Sequence, residues 1–307
     1  MINRELIRLK VVQLVYAYYQ NEDKSIEAAE KELSFSMSKA YDLYQYMLLL
    51  IVELTNSGKR RLEIQRNRQQ RMGMDEESSS RFSENRFAAQ LAMNKTLLEF
   101  CEKQKKTWIG EEAFVKSLFK NLIASATYGK YMVSDDDSYA ADREFWRKAY
   151  KEFICNNDEL DQILEEQSLY WNDDKDIIDS FVLKTIKRFD EKNGEDQPLL
   201  PAFDSEDDNE FAILLFRQTL SNGNVYRDFI RTHTKNWEFK RLAMMDVVIM
   251  QTALAEIINF PGIPLNVSFN EYLDIAKVYS TPKSPSYING MLDNIVKQLK
   301  EDSKILK

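Results

Sequence analysis

The sequence predicts an all-α protein. Only 8 Gly and 6 Pro punctuate its 307 residues, so the backbone has few places to turn sharply, and long helices are favoured over many short strands. Apolar residues make up 44% and aromatics 12%, which is ample for a packed core at this length. Where apolar residues cluster, they recur at spacings of three and four, the helical period.

In chain order, residues 3–20 read as one amphipathic helix. Leu6, Leu9, Val12, Val15, Tyr16 and Tyr19 hold the apolar stripe, while Arg4, Arg8 and Lys10 fall largely elsewhere. A second helix is predicted over 38–54 from Leu43, Tyr46, Met47, Leu50, Ile51 and Leu54. It runs on through Gly58 into a basic stretch that ends at Arg71. Residues 73–86 are rich in Ser and charge and read as an exposed loop. Helical patterns return at 87–103, 111–132 and 143–154. Two acidic connectors interrupt them: Asp135-Asp136-Asp137, and a longer stretch at 190–208 whose Pro198 and Pro201 mark a linker. An internal repeat is one reading of the spacing: Phe145 precedes Trp171 by the 26 positions that separate Phe211 from Trp237. Two unrelated helical hairpins of similar length would give the same pattern.

The longest uninterrupted apolar run, Met47 to Val52, is far short of the roughly 20 residues that cross a bilayer. The opening Met-Ile-Asn-Arg-Glu has no apolar signal core. Cys101 and Cys155 are isolated thiols, which suit a reducing compartment. These features point to the cytoplasm and away from a membrane. Net charge is −8, yet it is unevenly placed: residues 135–210 hold 24 acids against 9 bases, whereas 1–71 hold 12 bases against 9 acids. A phosphate senses only the charge within a Debye length of about 8 Å, so the acidic total does not exclude a nucleic acid.

From Phe211 the pattern sharpens. Trp237 is followed by Arg241 and Asp246, then by a helix over 247–258 that is apolar on nearly every face and so expected to be central and buried. Phe260-Pro261-Gly262-Ile263-Pro264 ends it. Ser268-Phe269-Asn270-Glu271 reads as a capping box at the start of the next helix, which continues through Ala276-Lys277. Ser284-Pro285 then supplies an N-cap and a first-turn proline before Tyr287-Ile288-Asn289-Gly290-Met291-Leu292-Asp293.

This succession resembles the C-terminal half of the NusB family, over roughly Phe211 to Leu299. Arg8 followed by Val12-Gln13-Leu14-Val15-Tyr16 is similar to the family's first helix. The resemblance implies a NusB-like helical bundle of two subdomains. The N-terminal domain, 1–208, would be enlarged by an insertion at about 20–208, and the NusB-like C-terminal domain would be 209–307. It also implies a non-catalytic transcription antitermination factor. Such a factor binds boxA-type nascent RNA together with ribosomal protein NusE, joins the RNA polymerase antitermination complex, and promotes read-through in rRNA operons. The alternative is a helical protein–protein adaptor that retains the scaffold without RNA binding. A related domain occurs fused to RNA cytosine methyltransferases, but no glycine-rich cofactor loop and no cysteine nucleophile in a recognisable motif stand in this sequence.

By the same resemblance, the expected RNA-binding residues on the first helix are Arg4, Arg8, Lys10, Gln13 and Tyr16. Tyr16 reads equally well as a stacking face or as core. Three bases are fewer than the family's arginine-rich start carries, and each phosphate contact adds to affinity through counterion release. Arg61, Arg66 and Arg68, in the run from Lys59 to Arg71, are expected to replace the missing charge, with a solvated surface helix as the other reading. Lys283 and Tyr287 are expected to bind NusE. Asn289-Gly290 reads as structural, the glycine allowing close helix contact, and Arg241 and Asp246 read as ties to neighbouring helices. His233 stands alone, without the partners zinc or a triad needs, so no metal, cofactor or catalytic residue is expected.

Overall fold

The computed structural model describes residues 1–21, 25–72, 79–171, 173–203, 205–234 and 239–305. Trp237, which anchors both the suggested repeat and part of the family resemblance, lies outside them, as do residues 73–78 of the loop expected at 73–86. The described residues form an all-α fold, in which the only pairing of extended backbone is an isolated bridge between Ile2 and Phe203. The helices are α1 (Arg4–Gln20), α2 (Ile26–Met72), α3 (Arg86–Ala92), α4 (Lys95–Gln104), α5 (Glu112–Ile123), α6 (Ala126–Met132), α7 (Tyr139–Phe153), α8 (Asp158–Gln167), α9 (Lys175–Arg188), α10 (Glu206–Ser221), α11 (Gly223–His233), α12 (Met244–Asn259), α13 (Leu265–Tyr279) and α14 (Ser284–Glu301). No helix among the described residues is long and apolar enough to cross a membrane.

The chain divides into two compact units. A middle unit holds Lys39–Pro201 with Met1, and a terminal unit joins Ile2–Ser38 to Ala202–Lys307. This differs from a single cut at 208, because the first helix belongs with the C-terminal segment.

In the terminal unit α12 is the central element. It is buried continuously from Asp246 to Ile257, as its all-round apolar sequence predicts, and α1, α10, α11, α13 and α14 pack around it. The few polar groups on α12 are paired, as buried groups must be. Gln251 Nε2 donates to Tyr19 Oη (2.7 Å) and to the Thr219 carbonyl (2.8 Å), while its Oε1 accepts from Arg227 (3.0 Å). Gly223 is needed here, since a Cβ would come within 2.6 Å of Tyr19 Oη.

In the middle unit α7 packs against α3, α5, α6 and α9. The helix expected over 87–103 is two helices, because Asn94 interrupts it: the Asn94 Oδ1 accepts from Leu97 N (3.3 Å) and its Nδ2 donates to the Gln197 carbonyl (2.7 Å). Ser125 divides 111–132 in the same way, accepting from Tyr128 N at 3.0 Å. Short polar side chains that can satisfy the orphan N–H groups of a new helix favour a cap over helix interior. The expected linker is exposed over 190–196 but packs into the core in its middle, where Gln197 is buried. Leu199 and Leu200 are buried, and Leu200 bonds to Tyr44 through its N–H (3.2 Å) and to Tyr41 through its carbonyl (3.0 Å).

Two expected helix starts also shift. α13 begins at Leu265 after Pro264, not at Ser268, so Ser268 and Glu271 lie inside the helix and form no capping box. Lys283, not Ser284, occupies the N-cap position of α14. In both cases the serine hydroxyl is taken by a buried carboxylate on α12.

Candidate nucleic-acid and partner interfaces

The first helix is positioned by Asn3, whose Oδ1 accepts from Leu6 N (2.9 Å). Its packing against α10, α12 and α13 turns most of its bases inward. Arg8 is 3% exposed. Its Nε and Nη2 grip the fully buried Glu256 carboxylate at 2.7 and 3.0 Å. Ser268 Oγ (2.6 Å) and Tyr272 Oη (3.0 Å) donate to the same carboxylate, and Glu271 approaches Arg8 at 3.4 Å. Burial and the adjacent Glu256 push the Tyr272 phenol well above its usual pKa. A carboxylate in a low-dielectric core needs such a set of donors. Arg8 is therefore a core residue, not a phosphate contact on the surface. Lys10 is 1% exposed and is likewise withdrawn from solvent.

Arg4 is exposed but engaged, with Asp208 at 3.0 Å and the Phe211 ring 4.8 Å below its guanidinium. Gln13 and Tyr16 are half-exposed. The solvent face of α1 thus offers an amide, an aromatic and one compensated arginine, not a basic stripe.

The end of α2 has the opposite character. No residue from Lys59 to Met72 is buried. Lys59, Arg60, Arg61, Arg66, Arg68 and Arg71 stand against the single acid Glu63. Arg60 is held by Glu53 (2.7 Å) and Ser57 (2.9 Å), whereas Arg61, Arg66 and Arg68 make no ion pair among the described residues. At about 100° per residue, Arg61 and Arg68 share one face, and Arg66 lies about 140° round from Arg61. Arg66 lines a cavity with Arg81 and Arg86 and with the acids Glu84, Asp137 and Asp142. Gln65, Asn67, Gln69 and Gln70 are interleaved with these bases and carry the donors and acceptors that read base edges. Gly58 sets the foot of this arm, since a Cβ there would meet the Phe82 ring at 2.5 Å.

At the other end of the terminal unit, Asp246 ties α12 to the corner between α13 and α14. It accepts from Ser280 and, at 2.9 Å, from Ser284. Beside it opens a groove of about 740 Å³ with Leu242, Ala243, Pro282, Lys283 and Tyr287 in its walls. Lys283 is exposed and Tyr287 half-buried, and that burial pushes the Tyr287 phenol above its usual pKa. The structure thus brings the two expected partner-binding residues together in one mostly apolar groove. Gly290 departs from expectation: it is exposed, with nothing within 4 Å of a Cβ, so it makes no close helix contact. Asn289 is exposed too and lines a neighbouring shallow pocket with Ser286 and Pro285.

Glu256 is the residue that sequence reasoning passed over. The available signal was the single acid within 247–258, a stretch apolar on nearly every face, where a buried carboxylate calls for a cation.

Residues 180–297 match the sequence profile of the NusB family, beginning earlier than Phe211. The transcription antitermination protein NusB of Salinibacter ruber is 32% identical over 132 residues, 41% of this chain and 82% of that protein. The protein of the same name from Geotalea daltonii is 34% identical over 133 residues, 43% of this chain and 89% of its own length. The solved structure of T. maritima NusB aligns with 26% identity and a TM-score of 0.30, covering 38% of this chain and 82% of that one. The greater part of this chain is extra to these relatives.

Proposed function

The chain belongs to the NusB family, and from that premise we propose that it is a transcription antitermination factor that binds boxA-type nascent RNA together with ribosomal protein NusE. It would join the RNA polymerase antitermination complex and promote read-through in rRNA operons. The residues beyond the short relatives form an insertion, most of it in the middle unit, that supplies RNA-binding charge. The observation that carries this reading is the exposed basic end of α2, where Arg61, Arg66 and Arg68 are unpaired among the described residues in a protein of net charge −8. Arg4, Gln13 and Tyr16 contribute from α1, with Tyr16 offering a stacking face. Lys283 and Tyr287 form the NusE site, the tyrosine acting as an anchor in the groove. The protein works by binding and not by catalysis.

A second reading, a helical protein–protein adaptor that retains the scaffold without RNA binding, draws its support from the burial of Arg8 and Lys10. Fluorescence anisotropy separates the two, with labelled boxA-type RNA at two salt concentrations, with and without NusE. The RNA reading expects tight binding that salt weakens and NusE strengthens, with NusE's contribution lost in Tyr287→Ala. Absence of RNA binding even with NusE present would favour the adaptor.

A further inference from the structure

An aromatic ring stands at the foot of the α2 arm, beside Arg61. Gly58 faces Phe82, whose ring a Cβ would meet at 2.5 Å. Tyr128 of α6 packs on that same Phe82, with ring centroids 5.4 Å apart. Arg61 follows Gly58 by three residues, about 60° round the helix, and so emerges next to Tyr128. The phenol senses the same neighbour: burial pushes it above its usual pKa, and Arg61 is the one charge that acts against that shift. No carboxylate contributes there.

Tyr128 is held by its apolar body and not by its polar end. Its ring lies at 58° to Phe82 and at 68° to Phe145, so neither neighbour stacks on it in parallel. The residue is half-buried, and its hydroxyl reaches solvent and makes no hydrogen bond among the described residues. The surface beside it is open, since a Cβ on the adjacent Gly129 would meet nothing within 4 Å. A rim tyrosine turns an apolar body inward and a wet tip outward, which accounts for the contact with Phe82. It does not account for an arginine without a carboxylate at the same spot.

Beyond Tyr128 the arm presents one ridge. Gly58, Arg61, Gln65 and Arg68 lie within about 80° of one another and span about 15 Å along the helix. Arg61 and Arg68 make no ion pair among the described residues. The single acid of the arm, Glu63, falls about 160° round from Arg61. Arg66 is turned about 140° away, on the cavity that holds Glu84, Asp137 and Asp142. From its foot outward the ridge therefore reads ring, cation, amide, cation. Proteins that hold single strands combine a cationic path for the phosphates with aromatic rings on which bases stack. A duplex keeps its bases stacked on one another and offers such a ring nothing.

We propose that Tyr128 is a base-stacking platform for single-stranded RNA, set at the inner end of the ridge formed by Arg61, Gln65 and Arg68. This rests on the RNA-binding reading above, and it adds to that reading a contact that is not ionic. The test uses the full chain with a labelled single-stranded boxA-type RNA and with the same RNA annealed to its complement. Tyr128→Leu removes the ring while keeping an apolar side chain against Phe82, and Tyr128→Phe keeps the ring. Loss of one stacked base should weaken single-strand binding by about tenfold. The loss should be equal at every salt concentration, because stacking releases no counterions. Tyr128→Phe should bind as the natural protein does, and the annealed RNA should not distinguish Tyr128→Leu from it. Ultraviolet cross-linking of the natural protein reads the contact without any variant. Bound single-stranded RNA should attach to the tryptic peptide 121–130, in which Tyr128 is the one aromatic residue. Natural affinity in a folded Tyr128→Leu, or a loss that comes with a flatter salt slope, overturns the platform and leaves the arginines of the arm standing. So does RNA that binds but never cross-links to that peptide. Failure of the natural protein to bind RNA at all would instead remove the reading on which the platform depends.

Discussion

The first helix and the end of the second are both basic in sequence, and the fold uses their charge in opposite ways. On α1, Arg8 is drawn into the core by Glu256 and shares that carboxylate with Ser268 and Tyr272, while Arg4 is matched by Asp208. On α2, everything from Lys59 to Met72 reaches solvent, and Arg61, Arg66 and Arg68 make no ion pair among the described residues. The difference does not come from the bases themselves. It comes from what packs against each helix: α1 is surrounded by α10, α12 and α13, whereas α2 beyond Gly58 has no buried face at all. A buried carboxylate recruits whatever cation lies opposite, and a cation so recruited is lost to any external ligand.

The sharpest way to break this comparison is at Arg8. Arg8→Ala leaves Glu256 charged and uncompensated in the core, which should cost about 3–5 kcal/mol of stability, measured by urea unfolding. Below its unfolding transition the variant should keep the RNA salt slope of the natural protein. A stable variant with reduced RNA affinity would put Arg8 back among the RNA contacts. A smaller effect is expected at the foot of the arm. Gly58→Ala forces a methyl into the Phe82 ring, and overpacking of this kind costs about 1–3 kcal/mol. Gly290→Ala, placed in open space within α14, should instead stabilise by up to about 1 kcal/mol. Thermal unfolding of the two variants in parallel reads both signs, and equal effects would deny that Gly58 marks a close approach.

Much of this was open to sequence reasoning where one local property decides the outcome. The scarcity of Gly and Pro and the period of apolar residues were sufficient for the all-α class. The all-round apolar character of 247–258 was sufficient for a central α12. The basic run to Arg71 was recognisable because nothing apolar accompanies it. What stayed hidden depends on partners distant in sequence. Ser268 and Glu271 match a capping box locally, but the true start of α13 is set by Pro264, and Ser268 is taken by Glu256 twelve residues earlier. Arg8 reads as one of the surface bases until Glu256, 248 positions away, is placed opposite. Asn94 looks like one position in a continuous helical pattern, and becomes a break only when the Gln197 carbonyl accepts its amide. The grouping of α1 with the C-terminal helices is likewise a tertiary fact that no local window contains.

On the reading proposed above, RNA-binding charge lies at the exposed end of α2 and not on the first helix. The most direct measurement is the salt dependence of boxA-type RNA binding by Arg61→Gln/Arg66→Gln/Arg68→Gln, set beside the natural protein. Three lost contacts should flatten the slope by about 2 and weaken binding at low salt without lowering the melting temperature. A slope and affinity equal to those of the natural protein would contradict the account, returning the arm to the status of a solvated surface helix.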